Sequence, residues 1–93
     1  MQHVEVLTVG RSSVDVYPLE IGVGLEDVTT FGKFLGGSPA NVAVASQQLG
    51  RQSGVITAVG DDPFGRFIRR ELAYFGVDES GVVTMPNAQT SIV

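Results

Sequence analysis

The chain has no cysteine and no tryptophan, and His3 is its only histidine. Without cysteine there are no disulfide staples and no cysteine-ligated zinc, and the compartment leans toward the cytosol. A single histidine near the N-terminus argues against a histidine-held metal and against a Ser-His-Asp triad. Positive charge is also scarce: 6 Lys and Arg against 10 Asp and Glu leave a net charge of −4 and a pI near 4.6. An acidic balance disfavours nucleic acid as a partner. No apolar run approaches the ~18 residues of a membrane span. The opening MQHVEVLTVG has neither the basic start nor the apolar stretch of a signal peptide. These absences predict a cytoplasmic protein whose partners are neither membranes nor nucleic acids. There is no phosphate loop of the G-x-x-x-x-G-K-[ST] type. Gly22-Val23-Gly24 leads to Asp27 where a dinucleotide fingerprint needs a small residue, and no core strand precedes it.

What is present is globular. Hydrophobic residues make up 43% and charged residues 17% of 93, enough apolar content for a core. The length suits one small domain or a piece of a larger one, marginally stable by itself. Val4 to Val9 reads as a buried strand ending at Gly10, with residues 11–15 as the loop at its carboxyl end. Val16-Tyr17 and Thr29 to Leu35 read as exposed strands around a glycine-bearing excursion. Pro39 to Leu49 reads as a helix closed by Gly50, its packing face taken from Val42, Ala45 and Leu49. Val55 to Val59 is a second core strand. Asp62 then caps a helix that begins at Pro63, carries the stripe Phe64, Phe67, Ile68, Leu72 and Phe75, and ends at Gly76. Val82 to Met85 is a third core strand, and Thr90 to Val93 opens another. Strands alternating with helices predict an α/β fold with a parallel sheet.

The chemistry concentrates in Gly36-Gly37-Ser38-Pro39-Ala40-Asn41. Two glycines allow close backbone approach. Ser38 reads as the helix N-cap and Pro39 as its first residue. Asn41, in the first turn, can both donate and accept hydrogen bonds. Together they suit a ligand rich in hydroxyls; a glycine turn with an ordinary cap is the plainer reading of the same residues. Open parallel sheets bind ligands at the carboxyl ends of their strands, where Ser13 and Asp15 join the set. Asp15 could take charge-assisted hydrogen bonds from two neighbouring sugar hydroxyls, or serve only to form a turn. Arg66, Arg69 and Arg70 read as a solvated helix face, and Asp61-Asp62 as capping. Lys33 and Arg11 are placed to meet a substrate carboxylate or simply to be solvated.

The chain resembles the PfkB/ribokinase-type carbohydrate kinases. Gly36, Gly37, Pro39, Asn41, Ala43, Gly50 and Gly60 match the first family signature in type and spacing. The first strand with Gly10 and Asp15, the run Gly60-Asp61-Asp62-Pro63-Phe64-Gly65, and Gly76-Val77-Asp78 agree with it, so the likeness covers nearly the whole chain. Gly10-Arg11, Thr30 to Phe34 and the Gly-Gly-Ser-Pro-Ala-Asn form look, within the family, more like kinases of sugar acids than like fructokinases or ribokinases.

The resemblance implies the N-terminal part of a ribokinase-like three-layer α/β/α (Rossmann-like) fold with a protruding β lid. It places the core at about 1–15 and 36–87 and the lid strands at about 16–35 and 88–93. It implies transfer of the ATP γ-phosphate to a primary hydroxyl of a sugar or sugar acid, with Mg²⁺ as the metal. Ser13, Asp15, Gly37, Ser38 and Asn41 would line the sugar site, and the lid would make a homodimer. The family's Gly-Ala-Gly-Asp motif, with its catalytic Asp, and the ligands of ATP and Mg²⁺ are not in these residues. The chain alone is therefore expected to be catalytically inactive and to be the N-terminal part of a longer protein. Two other readings compete: a lid-dimerising module without catalysis, and a small α/β nucleotide-binding regulatory domain.

Overall fold

A computed structural model describes residues 3–93 of the chain; Met1 and Gln2, which the sequence reading includes in the core, lie outside the described residues. Three parallel strands, β1 (Val6–Val9), β4 (Ser53–Gly60) and β5 (Val82–Met85), form a sheet in the order β1-β4-β5. Their register sets Val9 beside Ile56 and Ala58 beside Val83. Helix α1 (Ser38–Gln48) follows the excursion from β1, and α2 (Pro63–Tyr74) connects β4 to β5. A second, antiparallel sheet pairs β2 (Ser13–Pro18) with β3 (Phe31–Gly36), Ser13 opposite Gly36 and Pro18 opposite Phe31. The alternation of core strands and helices read from the sequence is the observed one, while residues 90–93, read as opening a strand, form only an isolated bridge between Ile92 and Val14.

Both helices share a single core with one face of the large sheet. Val55 and Val59 of β4 and Val82 of β5 meet Ala40 and Ala43 of α1 and Phe67, Ile68 and Leu72 of α2. Strand hydroxyls tie α1 down: Thr8 Oγ1 donates to the Pro39 carbonyl at 2.8 Å, and Ser53 Oγ donates to the Ala43 carbonyl at 2.6 Å. The opposite face, carrying Leu7, Val9, Ile56, Val83 and Met85, is exposed. Two layers of the expected three are thus formed by these residues.

Three sequence expectations need correction. Residues 13–15 are not a loop, because Ser13 and Asp15 pair with Gly36 and Phe34 as the first rungs of β2. Ser38 is not the N-cap; Gly37, at φ 95°, takes that place, with no side-chain cap, and Ser38 starts the helix. The packing face of α1 is not Val42, Ala45 and Leu49. Val42 is 51% exposed and Leu49 84%, whereas Ala40 and Ala43 are fully buried and Val44 and Gln47 half-buried. Alanine lets the helix approach the sheet closely, and larger side chains at those positions would hold it off. By contrast α2 behaves as its stripe predicts: Phe67, Ile68 and Leu72 are buried, with Phe64 and Phe75 at the margins.

Candidate functional site

The carboxyl end of β1 turns at Gly10, whose amide donates to the Ile56 carbonyl at 3.1 Å. The next residues run under the start of α1. Ser12 is buried, and its hydroxyl shares a 3.1 Å hydrogen bond with Thr57 Oγ1 of β4. Ser13 Oγ donates to Asp15 Oδ1 at 2.8 Å, so the serine orients the carboxylate. That carboxylate lies directly over Gly36, where any Cβ would overlap it. At Gly37 a Cβ would stand 2.6 Å from the Arg11 carbonyl oxygen, and the backbone is already in the left-handed region. The glycine pair therefore admits the chain's own Asp15 and residues 11–12.

These elements enclose a cleft of about 370 Å³ lined by Arg11, Ser12, Ser13, Gly37, Ser38, Pro39, Ser91 and Val93. Of the five site residues read from the sequence, Ser13, Gly37 and Ser38 meet here. Asp15 stands beside them through its bond to Ser13. Asn41 instead lines a neighbouring pocket of about 300 Å³ with Lys33, Phe34 and Gln48. Lys33 is further committed by its Nζ, 4.6 Å from the centroid of the Phe67 ring. A larger depression, about 600 Å³, opens at the other end of the sheet, near His3, Gln52 and Asp78. It lies at the amino ends of the strands, away from the edge where parallel sheets bind ligands.

The far wall of the cleft comes from the segment read as opening a strand at Thr90. Residues 91–93 run parallel to β2: Val14 donates to the Ser91 carbonyl at 2.9 Å, Val16 to Val93 at 2.7 Å, and Val93 to Val14 at 2.9 Å. Thr90 anchors this segment. Its amide and hydroxyl donate to Asp62 at 2.9 and 2.7 Å, and its hydroxyl accepts from the Gly60 amide at 3.0 Å. Asp62 also caps α2 by accepting from the Gly65 amide at 2.7 Å. The Thr90 hydroxyl, then the Thr90 and Gly65 amides, hold the Asp62 carboxyl below its usual range. The cap was legible from Asp62-Pro63; its second partner, Thr90, carries no local signal.

Elsewhere, Glu20 Oε1 accepts from the amides and hydroxyls of Thr29 and Thr30 at 2.8 to 3.1 Å, closing the excursion between β2 and β3. Those bonds lower its pKa, the Thr29 hydroxyl foremost. Among the described residues no three His, Cys, Asp or Glu side chains gather as a metal site, and no helix is long and apolar enough to cross a membrane.

The profile described as pfkB family carbohydrate kinase matches residues 4–93. Among curated proteins, the chain is 42% identical over 82 residues to a 5-dehydro-2-deoxygluconokinase of Lacticaseibacillus casei, covering 88% of this chain and 25% of that protein. It is 45% identical over 78 residues to the protein of the same name from Geobacillus kaustophilus, covering 84% and 23%. Among solved structures, an uncharacterized sugar kinase from Pyrococcus horikoshii in complex with ATP superposes with a TM-score of 0.86 at 40% identity, covering 94% of this chain and 28% of that one. A putative ribokinase II from E. coli in complex with ATP and Mg²⁺ gives 0.85 at 30% identity, covering 97% and 30%. The chain thus spans about a quarter of the length of the curated relatives it matches.

Proposed function

This chain belongs to the pfkB family of carbohydrate kinases, and from that membership we propose that it is the sugar-binding part of an ATP-dependent kinase. Its substrate is a sugar acid phosphorylated at a primary hydroxyl, and we take that acid to be 5-dehydro-2-deoxygluconate, the one named by the relatives above. The observation that carries this reading is the hydroxyl-lined cleft at the carboxyl edge of the sheet, with Asp15 oriented beside it by Ser13. Asp15 accepts hydrogen bonds from sugar hydroxyls, Ser38 and the Gly37 backbone hold the polyol from the side of α1, and Asn41 reaches it from the neighbouring pocket. The β2–β3 sheet, with residues 91–93, covers the sugar as a lid and keeps water from the transferred group. Bound ATP supplies the phosphoryl group and Mg²⁺ screens its charge.

The test is phosphorylation by the intact gene product of 5-dehydro-2-deoxygluconate, 2-keto-3-deoxygluconate, fructose and ribose, beside the 93-residue chain alone. Turnover of the first by the intact protein, with none by the short chain, is expected. Preference for 2-keto-3-deoxygluconate, fructose or ribose would reassign the substrate, and turnover by the short chain would refute its inactivity. A second reading, a non-catalytic module that dimerises through the lid, is favoured by the exposed Tyr17, Phe31 and Phe34; an intact product that dimerises and phosphorylates no sugar would establish it.

A further inference from the structure

The wall of the cleft carries one charged side chain, the cation of Arg11, with the Asp15 carboxylate beside the cleft on Ser13. Arg11 lines the cleft together with four serines, and no carboxylate is among the lining residues. Arg51, Arg66 and Arg69 each stand against an acidic side chain, at 3.1, 3.6 and 2.8 Å. Among the described residues Arg11, like Arg70, stands in no ion pair; its guanidinium makes one 3.2 Å side-chain bond, from Nη2 to Ser91 Oγ. A guanidinium has five N–H donors in a planar fork, and this exposed one, at the cleft wall, spends one of them on Ser91. The backbone behind this side chain is fixed by the approach of Gly37 to the Arg11 carbonyl and by the buried Ser12–Thr57 pair. Lys33, the other candidate read from the sequence, faces Phe67 and a different pocket. The chain as a whole is acidic, at −4, and its field repels anions; an anionic substrate needs a local cation to be held.

We infer that Arg11 is the specificity residue of this site and binds the carboxylate of a sugar acid through its guanidinium fork, with the serines taking hydroxyls. The inference rests on the sugar-kinase reading and adds to it the group that separates sugar acids from neutral sugars. Carboxylate and guanidinium meet in a paired, charge-assisted geometry that an ammonium does not reproduce.

The experiment compares the intact gene product with its Arg11→Gln and Arg11→Lys variants, after circular dichroism confirms that each is folded. The readout is the ratio of kcat/KM for 5-dehydro-2-deoxygluconate to that for fructose, with calorimetric binding of both sugars in parallel. Arg11→Gln is expected to lower the ratio at least about tenfold, chiefly through KM for the acid. Arg11→Lys, which keeps the charge, is expected to restore part of it. An equal loss for both sugars, or an unchanged ratio, overturns the inference. If the wild type phosphorylates no sugar, the kinase reading fails by itself, and calorimetry decides Arg11: weaker acid binding in Arg11→Gln supports it, and equal binding overturns it. A wild type that phosphorylates fructose and neither binds nor phosphorylates the acid overturns the Arg11 assignment and leaves a sugar kinase standing.

Discussion

Two carboxylates on this chain do different work because their neighbours differ. Among the described residues Asp15 has one hydrogen-bond donor, Ser13 Oγ, which leaves lone pairs for the sugar hydroxyls of the proposed site. In the intact gene product Asp15→Ala should lower kcat/KM for the sugar by about a hundredfold or more, since two charge-assisted bonds at ~1.5–3 kcal/mol each are lost. Steady-state kinetics checks this, and an unchanged value removes Asp15 from the site. Asp62 is saturated by Thr90 and Gly65, so its role is structural. Its folded pKa lies below the ordinary value of 3.8. Its stabilisation is therefore complete above that value and is lost as pH falls through the lower folded one. Asp62→Asn should melt lower than wild type at neutral pH, and the two melting temperatures should converge as the solution is acidified below that point. A constant gap across the titration would show that charge is not what Asp62 contributes.

At the scale of elements, the start and the end of α1 both use a glycine in the left-handed region, with different surroundings. Gly37 has φ 95° and the Arg11 carbonyl in the way of a Cβ, whereas Gly50 has φ 90° and open space. Gly37→Ala should therefore cost more than about 2 kcal/mol, and Gly50→Ala about 1 kcal/mol, the backbone strain alone. Denaturant midpoints of the two variants check the difference; equal losses would mean that Arg11 and Ser12 give way. The same comparison separates what local sequence can report from what it cannot. The end of α1 and both ends of α2 were legible, through Gly50, Asp62 and Gly76, because capping is local chemistry, whereas the start of α1 was read one residue late, with Ser38 as its cap. The packing face of α1 was not, because two alanines carry it and hydropathy ranks them below Val42 and Leu49. The first rungs of β2 were not legible either: Ser13 and Asp15 have low strand propensity, and β3 and residues 91–93 supply the pairing that holds them.

At the scale of the molecule, the shortest extent is 18 Å, room for one sheet and one layer of helices about 10 Å across. On one face of the small sheet the exposed Tyr17 and Phe34 bring their rings within 5.8 Å of each other, while the exposed Val16 and Phe31 lie on the other face. A patch of this kind is what a second copy would cover. The intact gene product should sediment as a dimer, and Tyr17→Glu should shift it toward monomer; a monomeric wild type would sink the lid-dimer proposal.

The amino-acid sequence by itself determined the order of the core strands and helices, the Asp62 cap of α2 and the glycines that end both helices, the α/β class and the group of residues around Gly36 and Gly37. Each of these is written in neighbours a few residues apart. Only the tertiary structure decided that Ser13, Gly37 and Ser38 share a cleft while Asn41 lines the next one, that Ser91 braces Arg11, and that Thr90 completes the cap of α2 from 28 residues away. Those contacts depend on where β2, β4 and the last residues come to lie together, and no local pattern encodes a hydrogen bond across that distance in the chain.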